Sequence, residues 1–283
     1  MKRAIVLLVT VLVLGSIFTV SASADMGPKP SVIIDIEGFE GDYYGTLLSY
    51  EKSNGPLSAY DEEDGWSLYD EEDEEYGIWK AFVDYKDSDG YFFLQDFWYC
   101  GETDTLSWTY FPPDQFKLLL YFPETGGFVS SGVYERYAFD SYYVATVEGG
   151  KIILTEDYRL SGQLLSFFAR LLITFAIEAG LMLLFGYRSK KSVRLILLAN
   201  AATQVLLNVW LNVVYFRSGF FAYVGTYILL ELAVFAIEAI IFAKLLPVYG
   251  EKTARHAVIY AFTANLVSFG AGLLICGVIP FFA

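Results

Sequence analysis

Two carboxylates seven residues apart, Glu231 and Glu238, lie in the stretch YILLELAVFAIEAIIFAKLL (227–246), which is otherwise apolar enough for a bilayer. Seven residues turn an α-helix through about 700°, so both side chains leave from one face. Neighbouring apolar stretches repeat the habit. Arg170, Thr174 and Glu178 follow one another at four-residue spacing, as do Asn200, Gln204, Asn208 and Asn212, while Asn265, Ser268 and Gly272 share a side. Each helix thus carries one polar stripe on a lipid-compatible surface, and turning the stripes toward one another satisfies groups that hydrocarbon cannot.

Depth separates these residues into two layers. At a rise of about 1.5 Å per residue, Glu178, Asn200, Glu238 and Asn265 fall about 9–12 Å from the cytoplasmic helix ends, with Gln204 on the same stripe as Asn200. Arg170, Asn208 and Glu231 fall about 20–24 Å from those ends. The outer layer neutralises itself, which predicts an intramembrane Arg170–Glu231 ion pair with Asn208 as third partner. The inner layer holds two carboxylates, several amides and no fixed cation. Such a pair shares a proton, holds a cation or basic ligand, or serves as protonated-Glu–amide glue between helices.

Other chemistries are excluded by what is missing. The single His256 and Ser268 stand twelve residues apart on one helix, about 18 Å, so no hydrolytic triad forms. The chain lacks the His and Cys ligands of a zinc site, a Gly-rich phosphate loop and a dinucleotide fingerprint, so no cofactor and no catalytic residue is expected. Three function classes survive. One is a surface protein whose outer domain recognises or scaffolds and whose helices anchor it, the reading adopted here. The others are a proton, cation or small-molecule carrier, and an intramembrane carboxylate enzyme, both using Glu178 and Glu238.

The elements that must position these residues follow from composition. MKRAIVLLVTVLVLGSIFTVSASADMG opens with Lys2 and Arg3, continues through an apolar run, and reaches Ala22-Ser23-Ala24, which predicts a signal peptide over 1–24. Residues 25–160 contain 29 Asp and Glu against 8 Lys and Arg, whereas 161–283 contain 4 against 9, so the boundary is placed at 160. The acidic excess also excludes nucleic acid as a partner. Cys100 and Cys276 imply no disulfide framework.

In the acidic part, 31–37, 42–50, 77–85, 91–99, 106–111, 116–122, 142–147 and 151–155 are rich in aromatic and β-branched residues and are separated by Gly, Pro, Asp or Ser. This predicts an all-β antiparallel sandwich of immunoglobulin or transthyretin-like type, uninterrupted by helix. DYKDSDGYFFLQD sets Asp87, Asp89, Gly90 and Asp96 at EF-hand spacing, but Tyr85 occupies the first ligand place and strands flank the loop, so Asp89-Gly90 reads as a hairpin turn. AYDEEDGWSLYDEEDEEYGIW (59–79) holds ten acidic residues and no basic one between Asp61 and Glu75. Such a run must be solvated. It reads as a disordered charged loop, as a weak calcium site built from Asp61, Glu62, Glu63, Asp64, Asp70, Glu71, Glu72 and Asp73, or as a docking surface for a basic extracellular ligand.

From Ser161 onward four apolar stretches, about 163–186, 193–215, 222–246 and 257–281, predict an all-α four-helix transmembrane bundle. Arg188, Lys190, Lys191 and Arg194 follow the first stretch, and Lys244, Lys252 and Arg255 flank the third and fourth, while Arg217 alone lies between the second and third. The positive-inside rule then makes this a cell-membrane protein with both basic loops cytoplasmic and the β domain and C-terminus extracellular. Trp210, Tyr215, Phe220, Phe221 and Tyr223 read as an outer aromatic belt, and Tyr187, Tyr249 and Tyr260 as an inner one. Membrane lipid and a partner membrane protein are the corresponding contacts.

ADMGPKPSVIIDIEG, FKLLLYFPETGGFVSSGVYERYAFDSYY and the skeleton SKKS, LANAATQVLLN, ELAVFAIEA and ANLVSFGAG resemble an uncharacterised family of Gram-positive bacterial membrane proteins. The resemblance covers most of the chain and implies the signal peptide, the all-β outer domain and the four spans, but no activity. The helical part alone is similar to a wider set of small bacterial membrane proteins sharing the Asn200 and Thr203 pattern. Those often place His after the Thr, where this chain has Gln204, which weakens any metal-based role.

Overall fold

The computed structural model describes residues 28–278 apart from 64, 149, 159 and 251. They form two compact units, a β-rich one over Pro28–Tyr158 and a helical one after it. The expected signal peptide lies outside the described residues, as does the end of the fourth predicted span.

The first unit runs β1 (Ser31–Ile36), β2 (Tyr44–Ser49), β3 (Ser53–Asn54), β4 (Leu57–Ser58), α1 (Tyr76–Asp84), β5 (Phe92–Phe93), β6 (Trp98–Tyr99), β7 (Thr105–Trp108), β8 (Gln115–Phe122), β9 (Gly127–Ser130), β10 (Tyr134–Glu135), β11 (Asp140–Glu148) and β12 (Lys151–Glu156). One sheet has the order β12-β11-β1-β7; the other has β10-β8-β2-β5, with β6 also on β2 and β9 on β8, and β3–β4 forms a small ribbon. Val32, Ile34, Leu106, Trp108 and Tyr143 from the first sheet share one core with Leu47, Phe116, Leu118 and Leu120 from the second. The opposite face of the second sheet presents Leu48, Phe93 and Leu119 to Trp79 and Phe82 of α1. Burial on both faces is why FKLLLYF reads as a continuous apolar run rather than an alternating one.

Three expectations are corrected here. The sheets are not antiparallel throughout, because β1 pairs in parallel with β11, from Ser31↔Asp140 to Ile36↔Ala145. More than a hundred residues separate the two strands, so no tight hairpin dictates their direction. The unit is not all-β either, since 77–85, read as a strand, belongs to α1. Trp79 and Phe82 bury together, and residues three apart share a face only on a helix. The stretch 91–99 is broken between β5 and β6, where Gln95 takes φ 66°. Its buried amide receives the Leu68 N–H at 3.3 Å and donates to the Ser58 carbonyl at 3.1 Å, pinning the neighbouring loop.

The acidic run is held in place rather than disordered. Its aromatic residues tether it: Tyr60 and Tyr76 pack on Trp79, and Tyr69 stacks on Phe97 at 5.2 Å, while most of the carboxylates remain exposed. Burial pushes the Cys100 thiol up to about 12, which makes it a packed small hydrophobe.

The helical unit comprises α2 (Leu160–Leu184), α3 (Lys190–Leu245), a 3₁₀ turn (Pro247–Tyr249) and α4 (Ala254–Val278). Among the described residues one stretch, Phe167–Leu184, is long and apolar enough by itself to cross a membrane. At the end of α2 the Gly186 N–H donates to the Leu183 carbonyl and the Tyr187 N–H to that of Met182, with Gly186 at φ 82°. This glycine cap turns the chain toward α3, whose first turn is capped by Ser189 accepting from the Ser192 N–H at 3.1 Å.

The loop expected around Arg217 is instead helix, broken at Gly219 with φ 73° and ψ −173°. Only glycine adopts that backbone region readily. The two halves of α3 fold back on each other there: Leu207 and Leu211 pack with Tyr223, Tyr227, Leu230 and Val234. The aromatic belts are corrected at three places, because Tyr187, Tyr223 and Tyr260 are buried among the helices.

Because Phe82 faces the sheet from α1 and Val83 does so only partly, Phe82→Ala lowers the stability of the β-rich unit by about 3–5 kcal/mol, whereas Val83→Ala costs well under half of that. Denaturant unfolding followed by tryptophan fluorescence measures both; comparable losses at the two positions would restore the strand reading.

Candidate functional site

The polar stripes do converge. Glu238, on the second half of α3, accepts from Thr203 Oγ1 at 2.6 Å on Oε1 and from Asn265 Nδ2 of α4 at 2.7 Å on Oε2. A straight helix would set Thr203 and Glu238 about 50 Å apart, so this bond exists only because α3 doubles back at Gly219. Asn265 Nδ2 also meets the Ala261 carbonyl at 2.9 Å, fixing the orientation of its amide. Glu178 of α2 faces the same cluster. Asn200 and Ser268 approach its carboxylate, but neither closes a hydrogen bond, and both of its oxygens lack a partner among the described residues.

Of the residues expected in the inner layer, Glu178, Asn200, Glu238 and Asn265 are brought together and fully buried. Gln204 is buried as well, but its backbone carbonyl, accepting from Asn208 Nδ2 at 2.8 Å, is the group engaged. Thr203, one residue earlier, supplies the bond to Glu238. Its neighbourhood to Asn200 was the available signal. Tyr260 and Ser268 complete the surroundings, both with buried hydroxyls. Reading Tyr260 as an interfacial aromatic hid it.

In the outer layer Glu231 and Asn208 are buried, and Tyr227 approaches Glu231. The side chain of Arg170 lies outside the described residues, and the expected ion pair with it. His256 Nε2 lies 3.1 Å from the Phe185 carbonyl, as the protonated nitrogen donating to the end of α2. An apolar cleft of about 160 Å³ opens between the halves of α3, lined by Ala199, Ala202, Thr203, Leu206, Ala233 and Ile237.

The β-rich unit has its own buried charges. Lys117 on β8 donates to both oxygens of Asp87 at 2.9 and 3.0 Å, bonds Asp89 as well, and lies over the Tyr91 ring. The expected hairpin turn therefore connects α1 to β5 and wraps an ammonium, which occupies the place a cation would take in an EF-hand-like loop. Burial works against ionisation of Asp87, but Lys117 and the N–H groups of Tyr91 and Asp89 outweigh it and hold the carboxyl below its ordinary range. Asp96 goes the other way: burial pushes it up to about 6, only partly offset by the Phe97 N–H.

Among the described residues no group of three or more His, Cys, Asp or Glu is arranged to hold a metal. The calcium candidates Asp61, Glu62, Glu63, Asp70, Glu71, Glu72 and Asp73 therefore form no such group, and Asp64 lies outside the described residues. A scan against protein-family models and searches of curated proteins and of solved structures return no match to this chain.

Lys117→Ala strands a buried carboxylate and lowers stability by about 3–5 kcal/mol at neutral pH. Because the Asp87 pKa is depressed on folding, its contribution is full above the ordinary carboxylate value and is lost as pH falls through the folded value. The gap between wild type and Lys117→Ala therefore narrows as pH falls into the acid range, where the stranded carboxylate of the variant takes up a proton and the wild-type contribution is lost.

Asp96 carries the opposite sign, its contribution being full below about pH 4 and lost as pH rises through about 6. Asp96→Asn should thus stabilise the unit by about 1–2 kcal/mol above pH 7 and by far less near pH 4.5. Unfolding curves across that range check both signs.

Proposed function

We propose that the chain is a polytopic cell-surface membrane protein whose outer β unit recognises or scaffolds a partner and whose helices anchor it. One observation carries this reading: the helical unit is inside-out. Glu178, Glu231, Glu238, Asn200, Asn208 and Asn265 are buried, while Leu172 and Leu184 are 66% and 82% exposed and Leu198, Phe221, Leu229 and Phe262 are exposed with them. Water would reverse that distribution; hydrocarbon demands it. The halves of α3 together with α2 and α4 supply four helical segments for four spans, and the basic residues at 188–194 and 244–255 favour cytoplasmic turns. The apolar cleft in α3 suits contact with acyl chains. Membership in the Gram-positive membrane-protein family suggested by the sequence is part of the same proposal.

For the outer unit, the tethered acidic run is the recognition surface. Trp66 and Leu68 are exposed among its carboxylates, a combination that suits a cationic, partly apolar ligand such as a basic peptide or wall component. A second reading, a cation or small-molecule carrier built on Glu178 and Glu238, is favoured by the unpartnered oxygens of Glu178. Nothing in the geometry singles out an intramembrane carboxylate enzyme.

Topology is tested in intact cells with a membrane-impermeant thiol reagent. Ser67→Cys should label at once and Lys252→Cys only after the membrane is opened; the reverse pattern would sink the proposal. Binding of an oligolysine peptide to the full chain should fall about tenfold or more between low and high salt, and should be lost when Glu71, Glu72, Asp73 and Glu74 are made neutral amides.

A further inference from the structure

Around Glu178 the helices leave a set of oxygens with nothing to bond. Its Oε1 and Oε2, Asn200 Oδ1, Asn265 Oδ1, Ser268 Oγ and Tyr260 OH are all buried without a partner among the described residues. Their residues are neighbours: Asn200 and Ser268 approach Glu178, Asn200 approaches Tyr260, Tyr260 lies within electrostatic reach of both Glu178 and Glu238, and Asn265 joins them through Glu238. The Asn265 amide is oriented by its nitrogen, which is spent on Glu238 and Ala261, so its oxygen is an acceptor with no donor. Four of the six atoms, the carboxylate and amide oxygens, can only accept. No lysine, arginine or histidine pairs with Glu178 among the described residues.

Buried acceptors without donors are costly, and a proton on Glu178 would satisfy only one of them. A hard cation satisfies several at once, because it takes carboxylate, amide and hydroxyl oxygens together. Both oxygens of Glu238 already accept from Thr203 and Asn265, so Glu178 is the carboxylate of the pair whose oxygens are free to ligate, and one such carboxylate among neutral amide and hydroxyl oxygens suits a monovalent ion better than a divalent one. We propose that Glu178, Asn200, Asn265, Ser268 and Tyr260 form a buried site for a dehydrated, sodium-sized monovalent cation that ties α2, α3 and α4 together. This goes beyond the anchoring reading, since it assigns the helical unit a ligand.

The test uses the full chain in detergent or nanodiscs, with thermal unfolding measured in sodium, potassium or choline chloride at equal ionic strength. Sodium should raise Tm over choline in a saturable way, and potassium should do so less. Glu178→Gln should remove the sodium increment, and Ser268→Ala should move its midpoint to about three- to tenfold higher sodium. Equal Tm in all three salts would mean a water-filled or protonated cage and would overturn the site, as would an increment that survives intact in Glu178→Gln. If Glu178→Gln does not fold, Ser268→Ala decides, and an unmoved midpoint refutes the site. Neither result depends on the thiol-labelling pattern, so a wrong topology and a missing cation site are told apart.

Discussion

Charged groups inside a packed helical unit must find partners there, because neither hydrocarbon nor a dry interior offers any. Glu238 meets this constraint with one donor from its own helix's other half and one from α4. Those two bonds tie three helical segments at a single point. The glycine at 219, the fold-back of α3 and the approach of α4 are all conditions for that point to exist. Glu178 is what the arrangement leaves over: buried as completely, placed in the same cluster, and left without a closed hydrogen bond on either oxygen among the described residues. One carboxylate is thus fully satisfied while its neighbour is left open.

The β-rich unit meets the same constraint with different means. Its second sheet is covered on both faces, by the first sheet and by α1, so Lys117 on β8 is nearly enclosed and reaches the surface only through Asp89. Asp87 and Asp89 reach it from the turn after α1. Pairing of this kind adds little net stability over an apolar pair, yet breaking it is costly, and it sets where the turn can lie. Aromatic contacts do comparable positional work at the acidic run, where three tyrosines hold a chain whose carboxylates repel one another. A fixed acidic surface loses less entropy on binding than a disordered one would.

Much of this was legible in the residues themselves. The boundary near 160, the strands read at 31–37, 42–50, 106–111, 116–122, 142–147 and 151–155, each within a few residues of its observed bounds, and the convergence of Glu178, Asn200, Glu238 and Asn265 follow from charge balance and from periods of two and 3.6 residues. Those signals are local, and each is repeated over enough residues to outweigh its exceptions. The helix at 76–84 was not legible, because Trp, Phe, Val and Tyr suit a strand by propensity and only their packing against β2 and β8 selects the three-residue spacing.

Sequence alone determined which residues had to share a buried face, since that depends on side-chain chemistry and helical or strand spacing. The tertiary structure decided the pairings: Thr203 rather than Gln204 on Glu238, Lys117 rather than a metal between Asp87 and Asp89, and a one-residue break rather than a loop at Gly219. Each pairing joins groups that are distant in the chain or that compete with an equally suitable neighbour. Only the rotation and approach of whole elements, which no local pattern encodes, brings one of them within hydrogen-bond reach.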